Sequence, residues 1–209
     1  AGKGLYQSLT RVAGPRSFHG ELPLPELPKL CPRDEQGRPI FLREVAVLAL
    51  PHDEKKTIAG VDRILDLTDK VGPDGRLRWD VPAGDWSILR FVCTNHGQLL
   101  IVPSPNSGGP MIDFFDPAST EFHLRHIVTA VLKELGRTTF EGTSFKTMEF
   151  DSMELDGFTP WNGSMAAEFQ RRAGYSAIPL LPLLAGWTLA ERETQERFLY
   201  DWRKTVSDR

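Results

Sequence analysis

The pattern of hydrophobic and polar positions over residues 41–103 predicts a series of short β-strands. Residues 45–50 form a continuous apolar run, and residues 76–81 alternate apolar with charged side chains, as half-buried strands do. Turn chemistry separates these runs at residues 73–75, and residues 83–85 are predicted to turn the chain again. The predicted strands are 45–50, 64–67, 76–81, 86–93 and 99–102. We therefore predict a small antiparallel β unit over residues 41–109.

The periodicity changes near residue 110, where apolar residues recur at helical spacing. Asp116 or Ser119 can cap the first predicted helix, and Gly136 suits the position just beyond its end. Its apolar stripe comprises Leu124, Ile127, Val128, Val131, Leu132 and Leu135.

A short strand pattern at residues 145–150 opens onto polar residues and precedes two more predicted helices. One helix starts after Ser164, and the other follows a capping box made by Thr188 and Glu191. Helix, strand, loop and helix in this order are typical of part of a (β/α)-barrel. The predicted fold class is therefore α/β, with part of a (β/α)-barrel over residues 110–209 and the small antiparallel β unit before it or inserted in it.

Residues 1–40 differ from the rest because prolines recur there without a periodic pattern. These prolines leave little room for a helix or a central strand: Pro15 after Gly14, Pro23, Pro25, Pro28 and Pro32. We predict an extended Pro-rich segment over residues 1–40.

The composition excludes several classes of function. Of the 209 residues 40% are hydrophobic and 25% charged, which is enough to build a real core. The formal net charge is -3, so we expect no nucleic-acid partner and no membrane partner. No apolar stretch approaches the roughly 20 residues of a membrane helix. The chain begins at Ala1 without a signal-peptide pattern, and we expect it to be joined to the rest of a longer polypeptide.

Two cysteines and two tryptophans of the β region are predicted to be structural. Cys31 and Cys93 lack the spacing of a zinc site, and Cys93 at the end of an apolar run is typical of a buried small hydrophobic residue. Trp79 and Trp86 fall on apolar positions of the strand patterns, so we predict both in the core.

The strongest candidate chemistry is a group of carboxylates at the end of the 145–150 strand pattern. Glu149 and Asp151 would share one face of a strand, and Glu154 follows closely. Catalytic groups of parallel α/β folds gather where strands end, and cleavage of a glycosidic bond needs two carboxyl groups. Acidic residues at such positions also serve as helix caps or solvated loop residues, and the pattern alone leaves both interpretations open.

Other side chains could contact a sugar. Asn95 precedes a Gly-rich loop that contains Asn106, and Asp113 either lines a site or lies near the N-terminus of the first helix. Trp161 either stacks on a sugar ring or anchors the core. The loop matches neither a P-loop nor GxGxxG, which argues against nucleotide binding. Asn162 begins a weak N-x-S glycosylation pattern.

Several of these segments together resemble the α-L-rhamnosidases of glycoside hydrolase family 106. The resemblance starts with Asp151-Ser152-Met153-Glu154 and continues through 159–161, Gly174-Tyr175 and 179–186. Upstream, residues 75–86 resemble the family's Trp-x-x-Pro-x-Gly-x-Trp hairpin, and residues 104–109 followed by Asp113 resemble its next loop. Several blocks in the same order are more specific than any one of them.

The resemblance implies an exo-acting enzyme that removes terminal rhamnose with inversion, on a (β/α)-barrel with β-rich additions. It implies a bound calcium ion that helps to hold the sugar. Glu154 would be a catalytic carboxylate, with Asp151 or Glu149 as the supporting or sugar-binding acid. Family members are much longer than this chain, so a second catalytic carboxylate can lie outside it. We expect such an enzyme to be secreted or periplasmic.

Two alternatives stay open on the sequence. A non-catalytic carbohydrate-binding or structural fragment would bind saccharide without turnover. A polysaccharide lyase would require a Tyr, His or Lys as its base. None of these residues clusters near Glu154 in the sequence, which makes the lyase the weaker alternative.

Overall fold

The structure is a computed structural model that describes residues 1–99, 105–106, 108–149 and 158–208. Its strands are β1 (Lys3–Glu21), β2 (Leu42–Pro51), β3 (Thr57–Ile58), β4 (Leu65–Asp66), β5 (Arg76–Asn95), β6 (Thr159–Pro160) and β7 (Thr188–Leu189). Its helices are α1 (Pro117–Glu134), α2 (Met165–Ala173), α3 (Leu181–Leu184) and α4 (Arg192–Ser207).

A curled antiparallel sheet in the order β4-β2-β5-β1-β6 is the centre of this mixed α/β fold. A short parallel pair, β3 with β7, ties the region after β2 to the turn before α4. None of the helices in the described ranges is long and apolar enough to cross a membrane. The α/β class is thus confirmed, and the antiparallel sheet extends beyond residues 41–109 because β1 and β6 belong to it. The larger barrel stays a prediction.

Strand β1 corrects the prediction for residues 1–40, which left little room for a central strand. β1 lies between β5 and β6 and pairs with β5 along almost its whole length. The prolines that argued against a strand mostly follow it, starting at Pro23. The one inside, Pro15, lies where the pairing register shifts between Gly14 and Arg16, and a proline is tolerated at such a bulge.

Strand β5 corrects a second prediction, because the chain does not turn back at residues 83–85. Arg16 pairs with Val81 and Gly14 pairs with Gly84, so β5 has one more residue than β1 across this step. Gly84 has a φ of 106°, which lets the strand bend without ending. The two predicted strands are therefore one long strand with a bulge.

The two faces of the sheet bury separate cores, because successive side chains of a strand point to opposite faces. Leu89 and Phe91 pack with the helices α2 and α4, whose Phe169, Phe198 and Trp202 are buried. On the opposite face Trp79 and Trp86 are buried, as predicted, with their rings in a T-shaped contact at 5.4 Å between centroids. Cys31 and Cys93 are both buried and free.

The starts of α1 and α2 agree with the sequence predictions, whereas the capping box predicted before α4 does not form. The Asp116 carboxylate caps α1 by accepting a hydrogen bond from the Ala118 backbone N–H, as one prediction had it. α2 begins after Ser164 as predicted. The predicted box at Thr188 does not form, because Thr188 lies in β7 and its hydroxyl contacts β3.

The apolar stripe of α1 is at most partly buried among the described residues, and the predicted strand pattern at 145–149 is irregular. No residue of α1 is fully buried. Residues 145–149 form no strand, which corrects the prediction for this segment. A strand requires a neighbour to hydrogen-bond with, and no described strand pairs with these residues.

The loop before β2 packs against the turn after β5 through Gly97. Gly97 has a φ of 69°, and a Cβ there would overlap the carbonyl group of Leu30. We expect Gly97→Ala to lower the free energy of unfolding by about 2 kcal/mol or more, since the left-handed conformation alone costs a side chain about 1–2 kcal/mol. Chemical denaturation of the protein measures this loss.

Gly37 provides the matched control for Gly97. Its φ is 76°, and nothing lies within 4 Å of the position that a Cβ would take. Gly37→Ala should therefore show only the conformational cost, about 1 kcal/mol. Equal losses for the two variants would contradict the packing argument.

Candidate functional site

The carboxylates predicted to be catalytic, Asp151 and Glu154, lie outside the described residues. Glu149 is described and exposed at the end of the irregular segment after α1. Asn106 is also exposed.

Two other predicted site residues, Asn95 and Asp113, gather where β1 begins and β5 ends. We call this region the polar end of the sheet and define it by Lys3, Asn95, His96, Asp113 and Phe158. β6 joins it by pairing with the first residues of β1. Phe158 is the first described residue after the segment that carries Asp151 and Glu154.

Asp113 is 1% exposed, and both of its carboxylate oxygens are bound by the protein. One oxygen lies 2.8 Å from the Lys3 ammonium nitrogen, and the other accepts a hydrogen bond from the Phe115 backbone N–H at 3.2 Å. The pair joins the start of β1 to the chain just before α1. Of the two roles considered for Asp113, the observed contacts are those of a structural residue near the helix N-terminus.

Asn95 is buried at the last position of β5, and its side chain faces the beginning of the chain. Its amide NH₂ donates to the carbonyl oxygens of Ala1 and Gly2 at 3.2 and 3.3 Å. These bonds hold the chain just before β1 against the end of β5.

Trp161 is 4% exposed and follows β6 directly. Its ring stacks on that of Trp202 from α4, with the centroids 5.8 Å apart and the planes 16° apart. A sugar would have no free face of this indole to stack on. The observed position is that of a core anchor, one of the two alternatives that the sequence left open.

His96 is a residue of this region that the sequence did not single out as functional. It is 5% exposed, and its Nδ1 accepts a hydrogen bond from the Gln98 backbone N–H at 3.0 Å. Nδ1 as an acceptor places the proton of the neutral ring on Nε2. The imidazole packs against the ring of Phe158, with centroids 4.4 Å apart. No local pattern could reveal this contact, because the two residues are distant in sequence.

Burial keeps several titratable groups of this region uncharged. Desolvation lowers the pKa of His96, with the Asp113 charge opposing that shift. Burial raises the pKa of the Cys93 thiol to about 12 and that of the Tyr6 hydroxyl to about 12. All three groups are neutral at neutral pH, and the Lys3–Asp113 ion pair lies beside them.

Asn162 is buried, and its side-chain amide forms hydrogen bonds inside the fold. Its NH₂ donates to the Phe115 carbonyl at 2.9 Å, and its oxygen accepts from the Ser164 backbone N–H at 3.1 Å. The folded chain therefore does not present the N-x-S pattern to a glycosylating enzyme.

The calcium ion that the resemblance implies stays a prediction. Across the described ranges no three His, Cys, Asp or Glu side chains lie together as a metal site would require. The buried carboxylate of Asp113 is already neutralised by Lys3.

Comparison with known proteins adds the family. The family model described as α-L-rhamnosidase, that of glycoside hydrolase family 106, matches residues 34–209. The chain belongs to glycoside hydrolase family 106. The matched range contains the Asp151–Glu154 segment, Asp113 and all four helices, so most of the described fold is the family's own sequence.

Two relatives are much longer than this chain. The name of a protein from Formosa agariphila assigns it provisionally to the β-glucuronidases. It is 30% identical to this chain over an alignment of 227 positions, which covers 94% of this chain and 18% of that protein. A solved rhamnosidase from Novosphingobium sp. PP1Y superposes with a TM-score of 0.65 at 19% identity, covering 99% of this chain and 34% of its own. The second likeness shows a shared fold. The chain spans about a fifth to a third of these relatives.

Proposed function

We propose that this chain is part of the catalytic region of an exo-acting α-L-rhamnosidase that works with inversion. The observation that carries the proposal is the family 106 match over residues 34–209, which includes the carboxylate segment. The remainder of a longer polypeptide would complete the (β/α)-barrel and the sugar site. The spans of the two relatives support this part of the proposal.

In this mechanism Glu154 is one of two catalytic carboxyl groups, and Asp151 is a candidate for the other. One carboxyl group protonates the glycosidic oxygen as the bond breaks, and a second carboxylate takes a proton from the attacking water on the opposite face. Inversion needs room for that water, so the two groups would be roughly 6.5–9.5 Å apart. The second group is either Asp151 or a carboxylate from the rest of the polypeptide.

The described residues have supporting roles in the proposal. Glu149 and Asn106 are exposed and free to meet sugar hydroxyl groups. Asp113, Asn95 and Trp161 are buried, and they would hold the ends of the sheet in place rather than touch the sugar.

A second candidate is β-glucuronidase activity, which the name of the Formosa agariphila relative favours. The two candidates share the carboxyl chemistry and differ in the sugar, since a glucuronide carries a carboxylate that rhamnose lacks.

The test offers the full-length protein nitrophenyl α-L-rhamnoside and nitrophenyl β-glucuronide and follows the first-formed sugar anomer by NMR. We expect hydrolysis of the rhamnoside, with the β-anomer appearing before mutarotation. Cleavage of the glucuronide alone would show that the substrate is a glucuronide and not a rhamnoside. Retention of configuration would exclude the inverting mechanism, and binding without turnover would favour a non-catalytic fragment.

A further inference from the structure

Helix α1 has an apolar stripe that the described part of the chain leaves largely uncovered. Neither of the two described cores includes a residue of α1, and none of the described strands or helices packs along it. Leu124 and Val128 are half-buried, while Val131 is 37% exposed and Leu135, just beyond the helix, 51%. A helix of this kind gains most of its stability by packing its apolar face against a partner. We therefore expect this face to be covered in the complete protein.

The stripe borders a groove between α1 and the chain just before it. The groove has a volume of about 630 Å³, and its apolar lining includes Phe114, Leu124 and Val128. Phe114 is 39% exposed, although it directly precedes the buried core. The charged residues of the lining, Glu121 and Arg125, are paired with each other at 2.5 Å. The groove therefore offers apolar surface and a neutralised pair of charges, which suits an apolar protein element better than a charged ligand.

The lengths of the relatives indicate which protein element occupies the groove. The Novosphingobium rhamnosidase shares the fold over 99% of this chain, and the match covers 34% of that chain, so most of the relative lies outside the shared part. A segment tethered to the same polypeptide has a high effective concentration, roughly millimolar for a short flexible linker. Such a segment outcompetes a second copy of the protein, which must bind from dilute solution.

We propose that the groove and the apolar stripe of α1 are the docking surface for the rest of the same polypeptide. The docked segment inserts apolar side chains between Phe114 and Leu124 and covers the stripe as far as Leu135. The proposal rests on the longer polypeptide that the proposed function includes, but it is independent of the sugar that the enzyme cleaves.

The test places a photoreactive diazirine analogue of leucine at position 124 of the full-length protein. The analogue has nearly the shape of leucine, so the helix and its packing are preserved. We expect irradiation to join residue 124 to a peptide outside residues 1–209 of the same molecule. The matched control places the same analogue at Phe122, which is 74% exposed and lies on the far side of the helix from Leu124. The control should give no such product.

A mixture of isotopically labelled and unlabelled protein shows whether the joined peptide comes from the same molecule or from a second copy. A link to a second copy would overturn the proposal. The absence of any link from position 124 to peptides outside residues 1–209 would overturn it as well.

Val128→Asp gives an independent measurement through hydrogen exchange of α1 in the full-length protein. A carboxylate on the docking surface should release the partner, so residues 117–134 should exchange faster than in Phe122→Asp, which places the same residue on the far side of the helix. Equal exchange in the two variants would contradict docking. Neither measurement depends on glycoside cleavage. An enzyme that cleaves neither glycoside would overturn the proposed function, and the crosslink would still decide whether α1 is a docking surface.

Discussion

Replacing Glu154 by glutamine is expected to lower kcat for a terminal rhamnoside by about 10²–10⁴-fold, the usual contribution of general acid–base catalysis. Glutamine keeps the shape of the side chain but can neither donate nor accept the proton. KM should change little, since the group acts mainly in the transition state. Steady-state kinetics of the full-length enzyme measure both constants.

The leaving group distinguishes the two roles that Glu154 could have. A nitrophenolate departs without protonation, so the loss of a general acid should be much smaller on the nitrophenyl rhamnoside than on a natural saccharide. The loss of a general base should be similar on both substrates, because water must still be activated. Glu141→Gln, the same substitution at an exposed position with no role in the proposed site, is the matched control. Full activity in Glu154→Gln would remove Glu154 from the mechanism.

Replacing Asp113 by alanine is expected to lower the free energy of unfolding by about 3 kcal/mol, the lower end of the range for breaking a buried ion pair. The substitution removes the carboxylate that neutralises the Lys3 ammonium in this buried position. The lower end applies because the Lys3 side chain is 22% exposed and can still reach water, whereas that of Asp113 is 2% exposed. Chemical denaturation of single and double variants with Lys3→Met gives the coupling energy between the two side chains.

The surface pair Arg192–Glu196 provides the comparison for this buried pair. Its side chains are 87% and 60% exposed, and they lie one helical turn apart on α4. Glu196→Ala should cost only about 0.3–0.5 kcal/mol, because water screens the two charges in the folded state. A loss at Asp113 as small as the loss at Glu196 would show that the buried pair does not stabilise the polar end of the sheet.

Patterns of neighbouring residues predicted some strands and helix starts correctly and others wrongly. The alternation at residues 76–81 identified part of β5, and Asp116 and Ser164 marked the starts of α1 and α2. Gly84 was interpreted as a turn, although it lies at a bulge inside β5. A glycine between two strand patterns has the same local chemistry in either case. Pairing with β1, a distant segment, decides between them.

The candidate site also contains residues that the sequence could group and residues that it could not. Glu149, Asp151 and Glu154 could be grouped from the sequence because they are neighbours in it. Lys3 and Asp113 could not, since 110 positions separate them. Both residue types are ordinary surface residues, and only the meeting of β1 with the chain before α1 buries the pair.

The sequence by itself determined the alternation at residues 76–81, the starts of α1 and α2 and the ordered blocks that identify family 106. These features depend on residues close together in the chain or on their order along it. The tertiary structure decided that Asp113, Asn95 and Trp161 are buried supports and that His96 meets Phe158. Burial and partnership depend on which distant strands pair, and that pairing results from the packing of the whole sheet rather than from any one segment.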